Sequence, residues 1–484
     1  MKLNQVLERV KTERIEGELQ IEIGNLEFDS RKIKSGDVFI ALKGTLVDGH
    51  RYIQKAIELG AIAIVCEDWP ATSEAVTVVQ VADSREALGW MAATYFDYPS
   101  RELKLVGVTG TNGKTTTVTL LYQLFTQLGY KSGLLSTIEN RVGGSIVPST
   151  HTTPDPVSIQ RLLADMVDAG CPVAFMEVSS HAADQKRIAG LEFSGAVFTN
   201  ITHDHLDYHK TFKNYINAKK KFFDILPKEA FALVNRDDRR NGVMVQNTAA
   251  KVYTYSVRNM ADYKAKVLES ELSGMLLEIN GTELYSKMVG GFNAYNLLCV
   301  FAVADLLGED RQEILTSLSL LEGAAGRFET IQAPSGAMGI VDYAHTPDAL
   351  EKVLDTIDKV LQGRGKIRTV VGCGGDRDRA KRPLMAKIAC DYSSTVLLTS
   401  DNPRSEDPAA IVAEMQTGVP PEARAQVLQI LDRREAIRTA VMLAGPNDVV
   451  LVAGKGHENY QEIHGKRIPF DDLSVLKEAM QIAD

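Results

Sequence analysis

The sequence predicts an α/β protein of three domains. Short apolar runs alternate with stretches of helical spacing, that rhythm restarts after two breaks, and 484 residues exceed what one core organises. Residues 1–100 hold the runs Val38–Leu42, Ala61–Val65 and Val76–Val79, with a helical pattern at Tyr52–Leu59. Asp97-Tyr-Pro-Ser100 is a turn-rich break. The second unit, 101–330, begins with the strand Leu103–Val108 and a helix from Lys114 to about Leu128. It continues with a helix at Val157–Ala169, strands at Val173–Val178 and Gly195–Thr199, a lysine-rich helix at Phe212–Ile225 and a strand at Phe231–Val234. Strands alternating with helices imply a parallel sheet covered on both faces. After Gly326-Arg327 the third unit, 331–484, sets strands at Met338–Val341, Thr369–Val371, Thr395–Thr399, Val427–Ile430 and Val449–Val452 between helices starting near Pro347, Arg382, Pro408 and Arg433. This is a second doubly wound, Rossmann-like unit.

Composition excludes several classes. Hydrophobic residues at 44% and charged residues at 24% are those of a globular chain, not a disordered one. The net charge of −9 lacks the footprint of a general nucleic-acid binder. Five isolated cysteines form neither a disulfide framework nor a zinc cluster, so reduced thiols are the simpler reading. The charged N-terminal stretch has no signal-peptide core, and no apolar run approaches the ~20 residues of a membrane span. A cytoplasmic monomer without nucleic-acid or membrane partners is the expectation.

Val106-Gly-Val-Thr-Gly-Thr-Asn-Gly-Lys-Thr-Thr116 carries the most chemistry. A glycine turn between strand and helix aims backbone N–H groups at a phosphate, and the helix N-terminus adds positive potential. The spacing departs from the usual phosphate-loop pattern, leaving a compact Gly110, Thr111, Asn112, Gly113, Lys114, Thr115, Thr116. Lys114 can reach the β/γ-phosphates and Thr115 can bind Mg²⁺. ATP is the nucleotide expected, since no N-K-x-D base-reading motif for GTP follows. Glu177, in Met176-Glu-Val-Ser-Ser-His181, falls at the carboxyl end of a buried strand and suits Mg²⁺. Asn200-Ile-Thr-His-Asp-His-Leu-Asp-Tyr-His209 could be a zinc site by composition, but its oxygen-rich neighbours favour His205 as a second Mg²⁺ contact. His203 and His209 carry no assignment.

These stretches, with Gly291-Phe-Asn-Ala-Tyr-Asn296, Gly326-Arg-Phe-Glu329 and Asp342-Tyr-Ala-His345, resemble the Mur ligases. That family makes ATP-dependent amide bonds in peptidoglycan precursors, and the resemblance spans the whole chain in the family's order. Asp29-Ser-Arg31 and Gly36-Asp-Val-Phe-Ile-Ala41 are similar to its uridine-nucleotide-binding front domain, which the folylpolyglutamate synthetases lack. The resemblance implies a uridine-nucleotide-binding α/β domain, a central P-loop ATPase-like domain and a C-terminal domain for the incoming amino acid. Within the family the chain most resembles the members acting on UDP-N-acetylmuramoyl-L-alanyl-D-glutamate. The implied reaction forms an acyl phosphate on the D-glutamate γ-carboxylate, and an amine then displaces phosphate.

Carried over by resemblance, Phe28, Ser30, Thr45, Leu46 and Val47 would contact the uridine nucleotide. His151, Thr152, Thr153, Ser179, Gln185 and Arg187 would hold the muramoyl-peptide, and Asn293, Arg327 and Asp342 would surround adenine and ribose. Lys219 reads by composition as one of a solvated run, Lys219-Lys-Lys221. By resemblance it is the lysine whose CO2-derived carbamate helps hold a second Mg²⁺, next to Thr115, Glu177 and His205.

Meso-diaminopimelate differs from lysine by one carboxylate on its far carbon. Asp401-Asn-Pro-Arg404 follows the strand Thr395–Thr399, and an Arg forks onto a carboxylate. The tetrapeptide alone could be a plain turn. Matched to the diaminopimelate-adding members, it makes Asp401, Asn402, Pro403, Arg404 and Arg377 the candidate site. Gly454 and Glu458 of Gly454-Lys-Gly-His-Glu458 would face the amine end. Addition of lysine is the near alternative. A P-loop regulatory ATPase is the distant one, and no switch element supports it.

Overall fold

The computed structural model describes residues 1–44, 47–71, 76–149 and 151–481. Thr45 and Leu46 lie outside the described residues. The N-terminal sheet runs Thr12–Glu16, Thr77–Val81, Ala63–Cys66, Val38–Ile40, Leu26–Glu27, parallel except at its first pair. The apolar runs form its inner strands because every side chain of Val38–Ile40 and Ala63–Cys66 is buried between two core clusters. Thr12–Glu16, exposed along its length, has no apolar pattern and reads from sequence as part of a helix.

The central sheet has seven consecutive parallel strands: Tyr263–Glu271, Lys251–Ser256, Phe231–Asn235, Gly195–Phe198, Lys104–Thr109, Val173–Glu177 and Ser132–Leu135. One face packs on the helices Lys114–Gln127 and Gly291–Leu307, the other on Pro156–Asp168 and Phe212–Asp224. Gly291–Leu307 is apolar all round because sheet and neighbouring helices enclose it. The sheet is not wholly parallel. An antiparallel hairpin, Glu139–Val142 with Ser145–Pro148, extends one edge, and an antiparallel meander, Tyr263–Glu271, Gly274–Ile279 and Thr282–Ser286, extends the other.

The C-terminal sheet runs Glu329–Gln332, Met338–Asp342, Val449–Ala453, Ile367–Val371, Thr395–Leu398, Val427–Gln429. All its pairs are parallel but the first. Strand order jumps across Val449–Ala453, so the crevice at the carboxyl ends there is the place where ligands bind in open α/β sheets. A separate hairpin, Tyr460–Ile463 with Lys466–Pro469, lies over those ends through the bridge Arg404–Ile463. Among the described residues no helix is long and apolar enough to cross a membrane.

Candidate active site

The phosphate loop joins Lys104–Thr109 to the helix Lys114–Gln127. Gly110, at φ +155°, leaves no room for a side chain: a Cβ there would stand 1.9 Å from Thr199 Oγ1. Asn112 N–H donates to Asn200 Oδ1 (3.0 Å), and Asn200 Nδ2 returns a bond to the Asn112 carbonyl (3.0 Å). Asn200 thus pins the loop from the neighbouring strand end. Lys114 is half-buried and curls over its own turn, its Nζ donating to the Gly110 and Thr111 carbonyls at 3.0 and 2.9 Å. Loss of water around this amine holds its pKa below the usual lysine range.

Glu177 ends its strand within reach of that loop. Its Oε1 accepts from Thr115 Oγ1 (2.9 Å), from Thr137 N–H (2.8 Å) and from Thr137 Oγ1 (3.0 Å). Its Oε2 is buried with no hydrogen-bond partner. An orphaned carboxylate oxygen beside a threonine hydroxyl fits a hard, oxygen-seeking cation such as Mg²⁺. His205 adopts a left-handed backbone, and its exposed imidazole lies 3.4 Å from Asp204.

The three adjacent lysines have separate fates. Lys220 pairs with Asp224 at 2.6 Å and Lys221 with Asp184 at 2.9 Å. Lys219 is buried, donates to the Gly110 carbonyl at 2.7 Å and stands 4.7 Å from the Tyr215 ring centre. Burial first, and Lys114 second, push its pKa well down, with Asp204 opposing. A solvated run is therefore the wrong description of Lys219, and Lys220 is buried as well.

The muramoyl-peptide candidates form one network running into Glu177. Thr153 Oγ1 donates to the Glu177 carbonyl (2.8 Å) and accepts from Ser179 N–H (3.1 Å). Arg187 donates to the Thr153 carbonyl (2.7 Å) and forks onto Gln185 Oε1 (3.0 and 2.7 Å). Thr152 accepts from Thr137, and His151 is exposed. In the front domain Ser30 is buried at the start of a short turn capped by Asp29, Phe28 packs against the N-terminal core, and Val47 is exposed.

Between the central and C-terminal domains lies a cavity of about 730 Å³ lined by Asn112, Asn293, Asn296, Arg327, Asp342 and His345 among others. Arg327 lies over the Tyr343 ring (4.4 Å) and donates to Thr115 Oγ1 (3.3 Å). Asn112 Nδ2 and Thr202 Oγ1 both donate to Asp348 Oδ2 of the C-terminal domain, at 2.9 and 3.2 Å. Asn200, Thr137 and Asp348 were not among the candidates read from sequence. Asn200 had a signal, a strand end, whereas Asp348 meets the loop only through the fold.

At the C-terminal strand ends Asp401, Asn402 and Pro403 are buried. Asn402 donates to Glu458 (2.7 Å) and accepts from Lys455 (3.3 Å), and burial and then Asp401 push the Glu458 pKa up. Gly454 N–H donates to the Asp342 carbonyl (3.0 Å), joining this set to the interdomain cavity. Arg404 is half-buried, not fully buried, and one of its nitrogens already donates to the Gly375 carbonyl (2.7 Å). Arg377 is exposed.

Three family models match in chain order: "Mur ligase family, catalytic domain" over residues 22–96, "Mur ligase middle domain" over 108–304 and "Mur ligase, glutamate ligase domain" over 326–456. A Cytophaga hutchinsonii protein named UDP-N-acetylmuramoyl-L-alanyl-D-glutamate--2,6-diaminopimelate ligase is 55% identical over 482 residues, 99% of each chain. The chain belongs to the Mur ligase family. Proteins of the same name from Bacteroides fragilis and Listeria monocytogenes are 54% and 42% identical, over 100% and 99% of both chains. A solved structure of a ligase of that name matches this Mur ligase with a TM-score of 0.70 and 33% identity, covering 99% of each chain. Mycobacterium tuberculosis folylpolyglutamate synthase shares the fold over 77% of this chain and 92% of its own, with a TM-score of 0.62 and 18% identity.

Asp342 yields a pH prediction. Burial pushes its carboxyl from 3.8 up to about 6, and Arg327 opposes this only in part. The folded protein thus holds this proton more tightly than the unfolded chain. The contribution to stability is full below about pH 4, is lost as pH rises to about 6, and amounts to roughly 3 kcal/mol. Asp342→Asn should gain on the wild type by that amount across this window, read as unfolding free energy against pH. A difference between the two that does not change with pH would show an ordinary carboxyl.

Proposed function

We propose that this Mur ligase joins meso-diaminopimelate to the D-glutamate γ-carboxylate of UDP-N-acetylmuramoyl-L-alanyl-D-glutamate in the cytoplasm, converting ATP to ADP and phosphate. The observation that carries this reading is the Asp401–Arg404 turn at a sheet's carboxyl end, in a chain 55% identical to a ligase named for that amino acid. We place the domain divisions at residues 100 and 330. The first domain holds the uridine nucleotide through Phe28, Ser30 and the Thr45-Leu-Val47 loop, the second ATP, the third the amino acid.

The chemistry must bring an anionic carboxylate onto an anionic triphosphate. The γ-carboxylate oxygen attacks the γ-phosphorus, ADP leaves, and an acyl phosphate forms. The amine then attacks the acyl carbon, phosphate leaves, and the nitrogen loses its proton. Lys114, released from its own loop carbonyls, neutralises phosphate charge, as do the loop N–H groups. His151, Thr152, Thr153, Ser179, Gln185 and Arg187 hold the peptide so that its carboxylate lies beside Glu177, and Asn293, Arg327 and Asp342 hold the nucleoside. Thr115, Glu177, His205 and Lys219 would hold Mg²⁺, which supplies positive charge between the two anions when bound. Glu458, the Gly454 carbonyl and Asp401 take the amine end of the amino acid, and Arg404 with Arg377 its far carboxylate.

Lys219 bears a carbamate in this reading. Burial that lowers the amine's pKa favours its neutral, nucleophilic form, which adds to CO2 to give a carbamate and a proton, so that an anionic oxygen ligand stands where an ammonium would. Labelled bicarbonate should give a carbamate carbon resonance that Lys219→Ala lacks. An active enzyme without that resonance overturns the assignment.

Arg404 decides between the amino acids. Lysine leaves its free nitrogens without a carboxylate, and because the guanidinium is half-exposed, water offsets part of the loss. The preference expected is about 1.5–3 kcal/mol, between roughly tenfold and a hundredfold in kcat/KM. Competition between the two amino acids should show it in the wild type and lose it in Arg404→Ala. Equal use of lysine by the wild type would sink the proposal.

A further inference from the structure

Arg382, second residue of the helix Lys381–Tyr392, has a side chain with no exposed surface. Its guanidinium forks onto Glu406, Nη1 to Oε2 at 2.9 Å and Nη2 to Oε1 at 2.8 Å, and Nη1 also donates to Glu414 Oε2 at 2.8 Å. Nη2 reaches the Gly374 carbonyl at 3.3 Å. Glu406 Oε1 accepts in turn from Asp376 N–H at 2.6 Å. Gly375, between them, gives its carbonyl to Arg404 and its N–H to the Asn402 carbonyl (2.9 Å). Three consecutive residues of one turn are thus tied to Arg382, to its partner Glu406, or to the turn bearing Arg404. The approach is close: a Cβ on Gly375 would stand 2.0 Å from the Pro403 carbonyl oxygen.

We propose that Arg382 is a positioning residue that fixes the Gly374–Arg377 turn against the Asp401–Arg404 turn and thereby sets selectivity for the incoming amino acid. The proposal rests on the assignment of the amino-acid site made above. Arg382 touches no substrate in this account; it acts through Arg404, one of whose donors is spent on Gly375, so the remaining nitrogens point where that turn directs them. A buried ion pair is weak support for stability as such, since apolar replacements often serve as well. What an apolar residue or a lysine cannot supply is the planar fork that holds Glu406 and Gly374 together.

The test uses the full-length enzyme carrying Arg382→Lys and, separately, Glu406→Gln, whose site is solvent-accessible and whose folding is the safer of the two. Steady-state kinetics are measured for ATP, the nucleotide-dipeptide, meso-diaminopimelate and lysine, with melting temperatures alongside. Misplacement of Arg404 by a fraction of an ångström should raise KM for meso-diaminopimelate about ten- to a hundredfold in both variants and collapse its preference over lysine. KM for ATP and for the nucleotide-dipeptide should stay within about twofold, a split that general loss of structure does not give. An unchanged preference in both variants overturns the proposal, and so does a uniform rise in every KM with lowered melting temperatures. A wild type with no preference for meso-diaminopimelate overturns the site assignment instead.

Discussion

The organising constraint of this molecule is electrostatic: a carboxylate must be brought against a triphosphate, and water, which would screen the two anions, must also be kept from hydrolysing the intermediate. The fold meets this by bringing polar groups together at the carboxyl ends of two sheets, several of them lining the interdomain cavity. Gly110–Thr116, Glu177 and Asn200 leave the central strands there, and Asp342, Asp401 and Gly454 leave the C-terminal ones. Neighbouring charges in a site of low dielectric are worth far more than in water, in attraction and repulsion alike. Small displacements of these loops therefore matter more than their number of contacts.

Two lysines show how tightly the charge is held. Lys114 and Lys219 both donate to the Gly110 carbonyl; burial lowers the pKa of each, and Lys114 pushes that of Lys219 down further. Two amines on one carbonyl, both stripped of water, disfavour a second charge, and Lys219, the more deeply buried, feels this most. The carbamate reading follows the same logic, because it replaces a costly buried cation with an anion next to cations.

The central glycine loop, the strand-end acid Glu177 and the restart after Arg327 were legible because they obey local rules: turn chemistry, strand period, helix starts. Thr12–Glu16 was not, since all five residues face solvent and carry no apolar alternation. The meander over 263–286 escaped for a related reason: it sits at a sheet edge, and its first strand is buried only at Tyr263 and Ala265. In the site, Lys219 stands apart from Lys220 and Lys221 in the sequence by resemblance alone, and in the structure by its partner, the Gly110 carbonyl, where the other two pair with Asp224 and Asp184. Asp348 and Arg382 were invisible, because Asp348 meets Asn112 and Thr202 across 236 and 146 residues, and Arg382 meets Glu406 and Glu414 across 24 and 32. Such contacts belong to topology, which no local pattern encodes.

The central claim is that the γ-carboxylate is activated as an acyl phosphate in the cavity between the two sheets. Transfer of heavy oxygen tests it most directly. UDP-N-acetylmuramoyl-L-alanyl-D-glutamate labelled in both γ-carboxylate oxygens is turned over with ATP and meso-diaminopimelate, and the phosphate released is analysed by mass. Attack of the carboxylate on phosphorus predicts phosphate carrying one labelled oxygen for each amide formed, the other remaining in the amide. Unlabelled phosphate accompanying amide formation would contradict the account.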